Sequence, residues 1–142
     1  MKLKVKRLRE EARVPFYAKS GDAGFDLFST IDCELNPGER KLVGTGLAFE
    51  IPLGYEIQLR PRSGLALKNG ISLVNTPGTV DSGYRGEVGL IVINHGKEIF
   101  KINKGDKIAQ AVLNKIESAD FVEVDELSES DRGAGGFGHS GK

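Results

Sequence analysis

A chain of 142 residues fits one domain and leaves no room for a second, and at this size roughly two thirds of the unfolded surface is buried on folding. Lys plus Arg equals Asp plus Glu at 20 each, which excludes broad charge-driven attraction to nucleic acid or membrane, so any recognition of phosphate has to be local. With 7% aromatic residues and no Trp the core must rest on Val, Ile and Leu, and the single Cys33 excludes an internal disulfide.

Met1 to Arg9 alternates basic and apolar positions, with Leu3 and Val5 on one side. That is the pattern of a half-buried strand and not the unbroken apolar run of a secretory signal. No stretch of 18 apolar residues follows anywhere, and Cys33 reads as a small buried thiol without a zinc-like Cys/His spacing, so a cytoplasmic location is expected. Ala23-Gly-Phe-Asp-Leu-Phe28 is an early strand in which Asp26 stands between apolar neighbours, facing solvent or a metal-bound water. Tyr55, Ile57 and Leu59 against Glu56, Gln58 and Arg60 form a second alternating strand.

Arg62 to Asn69 is the one helical stretch, one or two turns long, with Ser63 available as a cap and Gly70 as a stop. Arg62, Ser63 and Gly64 then sit where unpaired N–H groups favour anions, although a simple N-cap accounts for them equally. Asn75 to Glu87 is hairpin-like, with Pro77-Gly78 turning the chain. Its exposed backbone suits a small heterocycle, and Asp81 beside Tyr84 and Arg85 supplies a carboxylate base, a flat surface and a positive charge; a solvated turn with a surface ion pair is the other reading. Val88 to Ile93 is nearly continuous in apolar residues apart from Gly89, and Ala109 to Leu113 is similar after Gln110, which predicts strands covered on both faces at the centre of the fold. His95 falls in a turn at the surface, and Phe121 to Val124 predicts a last half-buried strand.

Clusters such as Asn36-Pro37-Gly38, Pro52-Leu53-Gly54 and Lys104-Gly105-Asp106 punctuate these runs and predict an all-β sandwich or barrel. From about Ser128 the composition changes, dividing a core (1–128) from an arm (129–142). The arm matches GxGxxG from Gly133 to Gly138 and the GxxxxGK half of a P-loop from Gly136 to Lys142, but no helix follows to complete either. Its glycines leave backbone N–H groups free to wrap phosphate, and Arg132, Phe137, His139 and Ser140 are typical ligand-contacting groups; a clamp and a linker both fit.

Five segments in order resemble the motif set of trimeric dUTPases: Ala23-Gly-Phe-Asp-Leu-Phe28, Pro61-Arg-Ser-Gly-Leu-Ala66, Gly78-Thr-Val-Asp-Ser-Gly-Tyr-Arg-Gly-Glu87, Gly105-Asp-Lys-Ile-Ala-Gln110 and Arg132-Gly-Ala-Gly-Gly-Phe-Gly138. The resemblance implies a distorted jelly-roll (β-clip-like) subunit with one short helix and a flexible Gly-rich C-terminal arm, assembled as a homotrimer with active sites shared between chains. It implies hydrolysis of dUTP to dUMP and pyrophosphate by water attack on the α-phosphate, which keeps uracil out of DNA and supplies dUMP for thymidylate synthesis. In that scheme Asp81 activates the water, Tyr84 lies against deoxyribose, and Asn75 with Gly78, Thr79 and Val80 reads uracil. Arg62, Ser63, Gly64 and Gln110 hold phosphates, Mg²⁺ binds phosphate oxygens and water with Asp26 reaching it through a water, and the arm closes with Phe137 over uracil and Arg132 and Gly138 near the phosphates. No nucleic acid or membrane partner is implied.

Ala134 and His139 depart from the family's usual hydroxyl and other residues in the arm, which predicts weaker closure. A deaminase of dCTP on the same fold would carry a glutamate in the strand after the hairpin, and Val88 to Ile93 has no carboxylate. A catalytically silent jelly-roll binding module is the other alternative.

Overall fold

The computed structural model describes residues 1–138; the predicted arm contacts at His139 and Ser140 lie outside the described residues. In chain order the strands are β1 (Lys4–Arg7), β2 (Gly24–Phe28), β3 (Cys33–Leu35), β4 (Arg40–Gly44), β5 (Leu47–Glu50) and β6 (Tyr55–Pro61). A single helix, α1 (Ser63–Asn69), precedes β7 (Ile71–Leu73), β8 (Gly78–Val80), β9 (Gly89–Asn94), β10 (Phe100–Ile102) and β11 (Lys107–Lys115). The all-β expectation with one short helix holds.

Alternation decides which side of each strand faces in. On β6 Ile57 and Leu59 are buried while Glu56 and Gln58 are half-exposed and Arg60 is exposed. This strand joins a four-stranded sheet in the order β2-β11-β6-β8, and a three-stranded sheet has the order β4-β9-β7. Two further pairs, β1 with β5 and β3 with β10, close the ends of the fold. Every pairing is antiparallel, and none joins strands consecutive in sequence. The apolar faces meet in one core that includes Leu27, Leu35, Val43, Leu90, Val92 and Ala111, each fully buried.

Four local expectations change. The segment from Asn75 is not a hairpin, because β7 pairs with β9 and β8 with β6, so the chain passes from one sheet to the other. β9 and β11 are interior strands as expected, but β9 is covered on one face only: Leu90 and Val92 are buried and Ile91 is exposed. Phe121 to Val124 forms no strand, since it finds no partner in this chain, and an unpaired strand leaves its backbone without a ladder. Ser63 lies inside α1 and Arg62 takes the cap position without a side-chain bond, whereas Gly70 ends the helix as expected, in the left-handed conformation at φ 69°.

Cys33 is half-buried and not enclosed; burial raises its thiol above the ordinary range, which keeps it protonated and unreactive. His95 is exposed, in line with a surface turn. No helix among the described residues is long and apolar enough to cross a membrane. Beyond Lys115 the described chain carries no helix or strand and is almost wholly exposed.

Candidate active site

The first cluster is built around β8. Its register against β6, with Ile57 facing Val80 and Leu59 facing Gly78, turns Gly78 and Val80 inward and leaves Thr79 exposed. Gly78 leaves little room beside the strand: a Cβ there would lie 3.1 Å from the Asn75 Nδ2 and 3.3 Å from Leu59, so a neighbour would have to give way by a few tenths of an ångström. The Asn75 amide therefore lies against the strand. After Val80 the chain makes a turn in which the Tyr84 N–H donates to the Asp81 carbonyl at 3.1 Å. The Arg85 guanidinium donates to the carbonyls of Ser82 and Tyr84 at 2.6 and 3.0 Å, so this cation braces its own turn. Tyr84 donates its hydroxyl to the Glu87 carbonyl at 2.9 Å.

The result is a cavity of about 190 Å³ lined by Asn75, Thr79, Val80, Asp81, Tyr84 and Glu87, among others. Asp81 is exposed at its edge and Tyr84 is half-exposed, so a carboxylate and an aromatic face are both open to a ligand. Glu87 is the other carboxylate at the cavity. Both its oxygens are taken, by the Arg9 fork at 2.6 Å on each side and by the Gly46 N–H at 2.8 Å. The bond from Arg9 is the main cause that holds the Glu87 carboxyl below the ordinary range, and burial works against it.

The second cluster lies across the same sheet. Gln110 on β11 faces Asp26 on β2 and Arg60 on β6. Asp26 pairs through one oxygen with Arg62 Nε at 3.1 Å and through the other with Lys107 Nζ at 2.8 Å. Arg62 also donates to the Lys107 carbonyl at 3.3 Å, and Gln110 donates from Nε2 to the Pro61 carbonyl at 2.9 Å. Gly24 makes room for the Gln110 side chain, because a Cβ there would stand 2.6 Å from its Oε1. Ser63 and Gly64, exposed in the first turn of α1, complete a surface in which Arg62 and Lys107 share Asp26, with free backbone N–H groups and with Asp22 and Asp106 at its margins. Such a surface suits an anion with several oxygens.

Asp81 and the ion-paired Asp26 do not meet within the chain. β8 and β2 are the opposite edges of the four-stranded sheet, three strand spacings of about 4.8 Å or roughly 14 Å apart. Although Arg62 follows β6, the neighbour of β8, it lies past the end of that strand, whereas Asp81 lies toward its start, beyond the pair of Ile57 with Val80. Nor do the described residues of the arm, 129–138, reach either one. Arg132 donates from Nε to the Gly135 carbonyl at 2.8 Å, Phe137 is fully exposed, and Gly138 is exposed at φ 83°.

Sequence reasoning passed over Lys107, although it stands inside Gly105-Asp-Lys-Ile-Ala-Gln110, and it gave no role to Arg9 or Glu87. A lone basic residue 78 positions from its acidic partner carries no local signal. For a divalent metal, no group of three acidic, His or Cys side chains gathers among the described residues. The donor set fits a magnesium that would be held mainly by a ligand's own phosphate oxygens and water, with Asp26 as the carboxylate between Arg62 and Lys107.

Fold and clusters together define a class: an all-β jelly-roll chain with a small cavity bearing a carboxylate and an aromatic ring, and a separate cationic surface for an anion. The model of the dUTPase family matches residues 10–141. Over its full length the chain is 58% identical to the deoxyuridine 5'-triphosphate nucleotidohydrolase of Nautilia profundicola, with all of both chains covered. Among solved structures it is similar to the dUTPase of Staphylococcus bacteriophage 80alpha with dUPNHPP, at a TM-score of 0.94 and 31% identity over 99% of both chains. It is also similar to a mutant dUTPase from phage phi11 of S. aureus, described with a structural Mg(II) ion, at a TM-score of 0.84 and 29% identity over 89% of this chain and 99% of that one. The chain belongs to the dUTPase family.

Proposed function

We propose that the chain hydrolyses dUTP to dUMP and pyrophosphate, with the base and sugar read in the Asn75–Tyr84 cavity and the triphosphate held on the Asp26–Arg62–Gln110 surface. Family membership supports the reaction, and one observation carries the division of labour: a single cavity gathers Asn75, Thr79, Val80, Asp81 and Tyr84. Asn75 and the backbone from Gly78 to Val80 offer donors and acceptors to uracil. Groups left unpaired by cytosine would each cost about 1–3 kcal/mol. Tyr84 lies flat against the deoxyribose and leaves no space for a 2'-hydroxyl.

Asp81 takes a proton from the water that attacks the α-phosphorus. An exposed carboxylate on a turn fixed by the Tyr84 N–H suits this work, because it is open to a water and its backbone is held in place. Arg62, Ser63, Gly64 and Gln110 orient the phosphates, and Lys107 adds positive charge beside them. Magnesium, when bound by the phosphates and water with Asp26 reaching one of those waters, neutralises charge on the triphosphate.

Glu87 is no proton-transfer group, since Arg9 and Gly46 occupy it, and this disfavours deamination of dCTP. With Asp26 at the sheet edge opposite β8 and Arg62 at the other end of β6 from Asp81, the complete site forms between chains of a homotrimer. The arm then closes as a lid, bringing Phe137 to the uracil and Arg132 and Gly138 to the phosphates. A cytoplasmic enzyme fits a nucleotide substrate.

The deciding assay is pyrophosphate release from dUTP, UTP, dTTP and dCTP, with and without Mg²⁺. Only dUTP with magnesium should react well; ammonia from dCTP, or dUTP binding without turnover, would sink the reading. For the lid, removal of residues 131–142 should leave a folded protein with severely reduced hydrolysis, and full activity would refute closure.

A further inference from the structure

Tyr84 is half-exposed, so the walls of the cavity alone do not set its ring. Two features behind it do. The ring folds back over Gly86, where a Cβ would stand 2.6 Å from Tyr84 Cζ and 2.9 Å from Cε2. Gly86 is not among the positive-φ glycines, so room for the ring accounts for the missing side chain. The hydroxyl, in turn, is tied to the Glu87 carbonyl at 2.9 Å.

Glu87 is itself held by more than an ordinary surface pair. Arg9 grips both carboxylate oxygens at 2.6 Å and also donates to Thr30 Oγ1 at 3.2 Å. A second glycine vacates the space: a Cβ on Gly44 would meet Glu87 Oε1 at 2.5 Å and Arg9 Nη1 at 3.2 Å, whereas Gly46 is set by its own φ of 66° and by Ala12, 2.7 Å from a Cβ there. Gly46 also donates its own N–H to Glu87. A planar fork in a seat cut to its shape fixes geometry in a way that a solvated lysine pair does not.

We propose that Arg9, Glu87 and Gly86 are positioning residues that fix the Tyr84 ring and thereby set the preference for deoxyribose over ribose. The proposal rests on the reading of Tyr84 as the sugar-facing surface. Arg9 touches no substrate; it acts through Glu87 on Tyr84. When the fork is lost the ring gains room to move, and a 2'-hydroxyl finds space.

The test measures kcat/KM for dUTP and for UTP on the same preparations of the wild type, Arg9→Ala and Gly86→Ala. The ratio of the two cancels the amount of folded enzyme, so a loss of stability alone leaves it unmoved. If Arg9→Ala does not fold, Glu87→Gln, which keeps an oxygen for the Gly46 N–H, takes its place. The dUTP-to-UTP ratio should fall roughly tenfold in the variants. A ratio within about twofold of the wild type in both would overturn the proposal. A wild type that hydrolyses UTP as readily as dUTP would instead remove the reading beneath it.

Discussion

Asp81 and Glu87 are six positions apart at one cavity, and their surroundings give them opposite tasks. Asp81 is exposed and makes no ion pair among the described residues, which leaves it open to a water; Glu87 is spent on Arg9 and Gly46. Asp81→Asn should therefore bind dUTP nearly as the wild type does while losing most of its turnover, as read by ligand titration beside steady-state kinetics. Unchanged turnover would remove the base. Glu87 matters for stability through its proton. Its carboxyl is held below the ordinary value of about 4.3, so its contribution is complete above that pH and is lost as pH falls through the lower, folded value. In acid melts the gap in Tm between wild type and Glu87→Gln should narrow below about pH 4. A gap that widens there would contradict the ion pair.

At the level of elements, α1 is unusual in burying no side chain of its own. Its start is held by the ion pair of Arg62 with Asp26, and its end by backbone contact: the His95 N–H donates to the Gly70 carbonyl at 2.9 Å. A Cβ on Gly70 would stand 2.7 Å from the Gly96 nitrogen. The fully buried Asn94 sets this clasp, giving its amide protons to the carbonyls of Leu35 and Glu98 and accepting from the Gly96 N–H at 2.8 Å. Gly96→Ala would drive a methyl group into the Asn69 carbonyl and should cost about 1–3 kcal/mol, as overpacking does. Urea melts would report it, and an unchanged midpoint would mean the clasp is loose. The helix was legible from Leu65 to Lys68 and from Gly70, because propensity and a C-terminal glycine act locally. The clasp was not, since Asn94 ends β9 and Gly96 lies in the turn after it, both far along the chain from the helix.

Across the whole molecule no strand pairs with its neighbour in sequence, so each sheet closes long loops before its contacts repay the entropy. The same wiring puts Asp26 a sheet's width from β8 and Arg62 at the other end of β6 from Asp81. If a complete site takes Asp81 from one chain and Arg62 from another, the inactive variants Asp81→Asn and Arg62→Ala should complement when unfolded and refolded together. About a quarter of the sites would then be intact. No recovery in the mixture would place both groups of a site in one chain.

Composition and alternation by themselves determined the all-β class, the helix at residues 62–69 and the segments that hold the candidate site, because strand period, turn glycines and short motifs are properties of neighbours in sequence. The same reasoning erred where a partner was needed. Phe121 to Val124 has the residues of a strand but no ladder in this chain, and Asn75 to Glu87 has a turn but sends its two ends to different sheets. Only the tertiary structure decided that Arg9 meets Glu87, that Lys107 shares Asp26 with Arg62, and that Asp81 shares a cavity with Glu87 but not with Asp26. Those facts depend on which strands pair across long loops, and pairing is settled by burial of the whole core and not by any local stretch of residues.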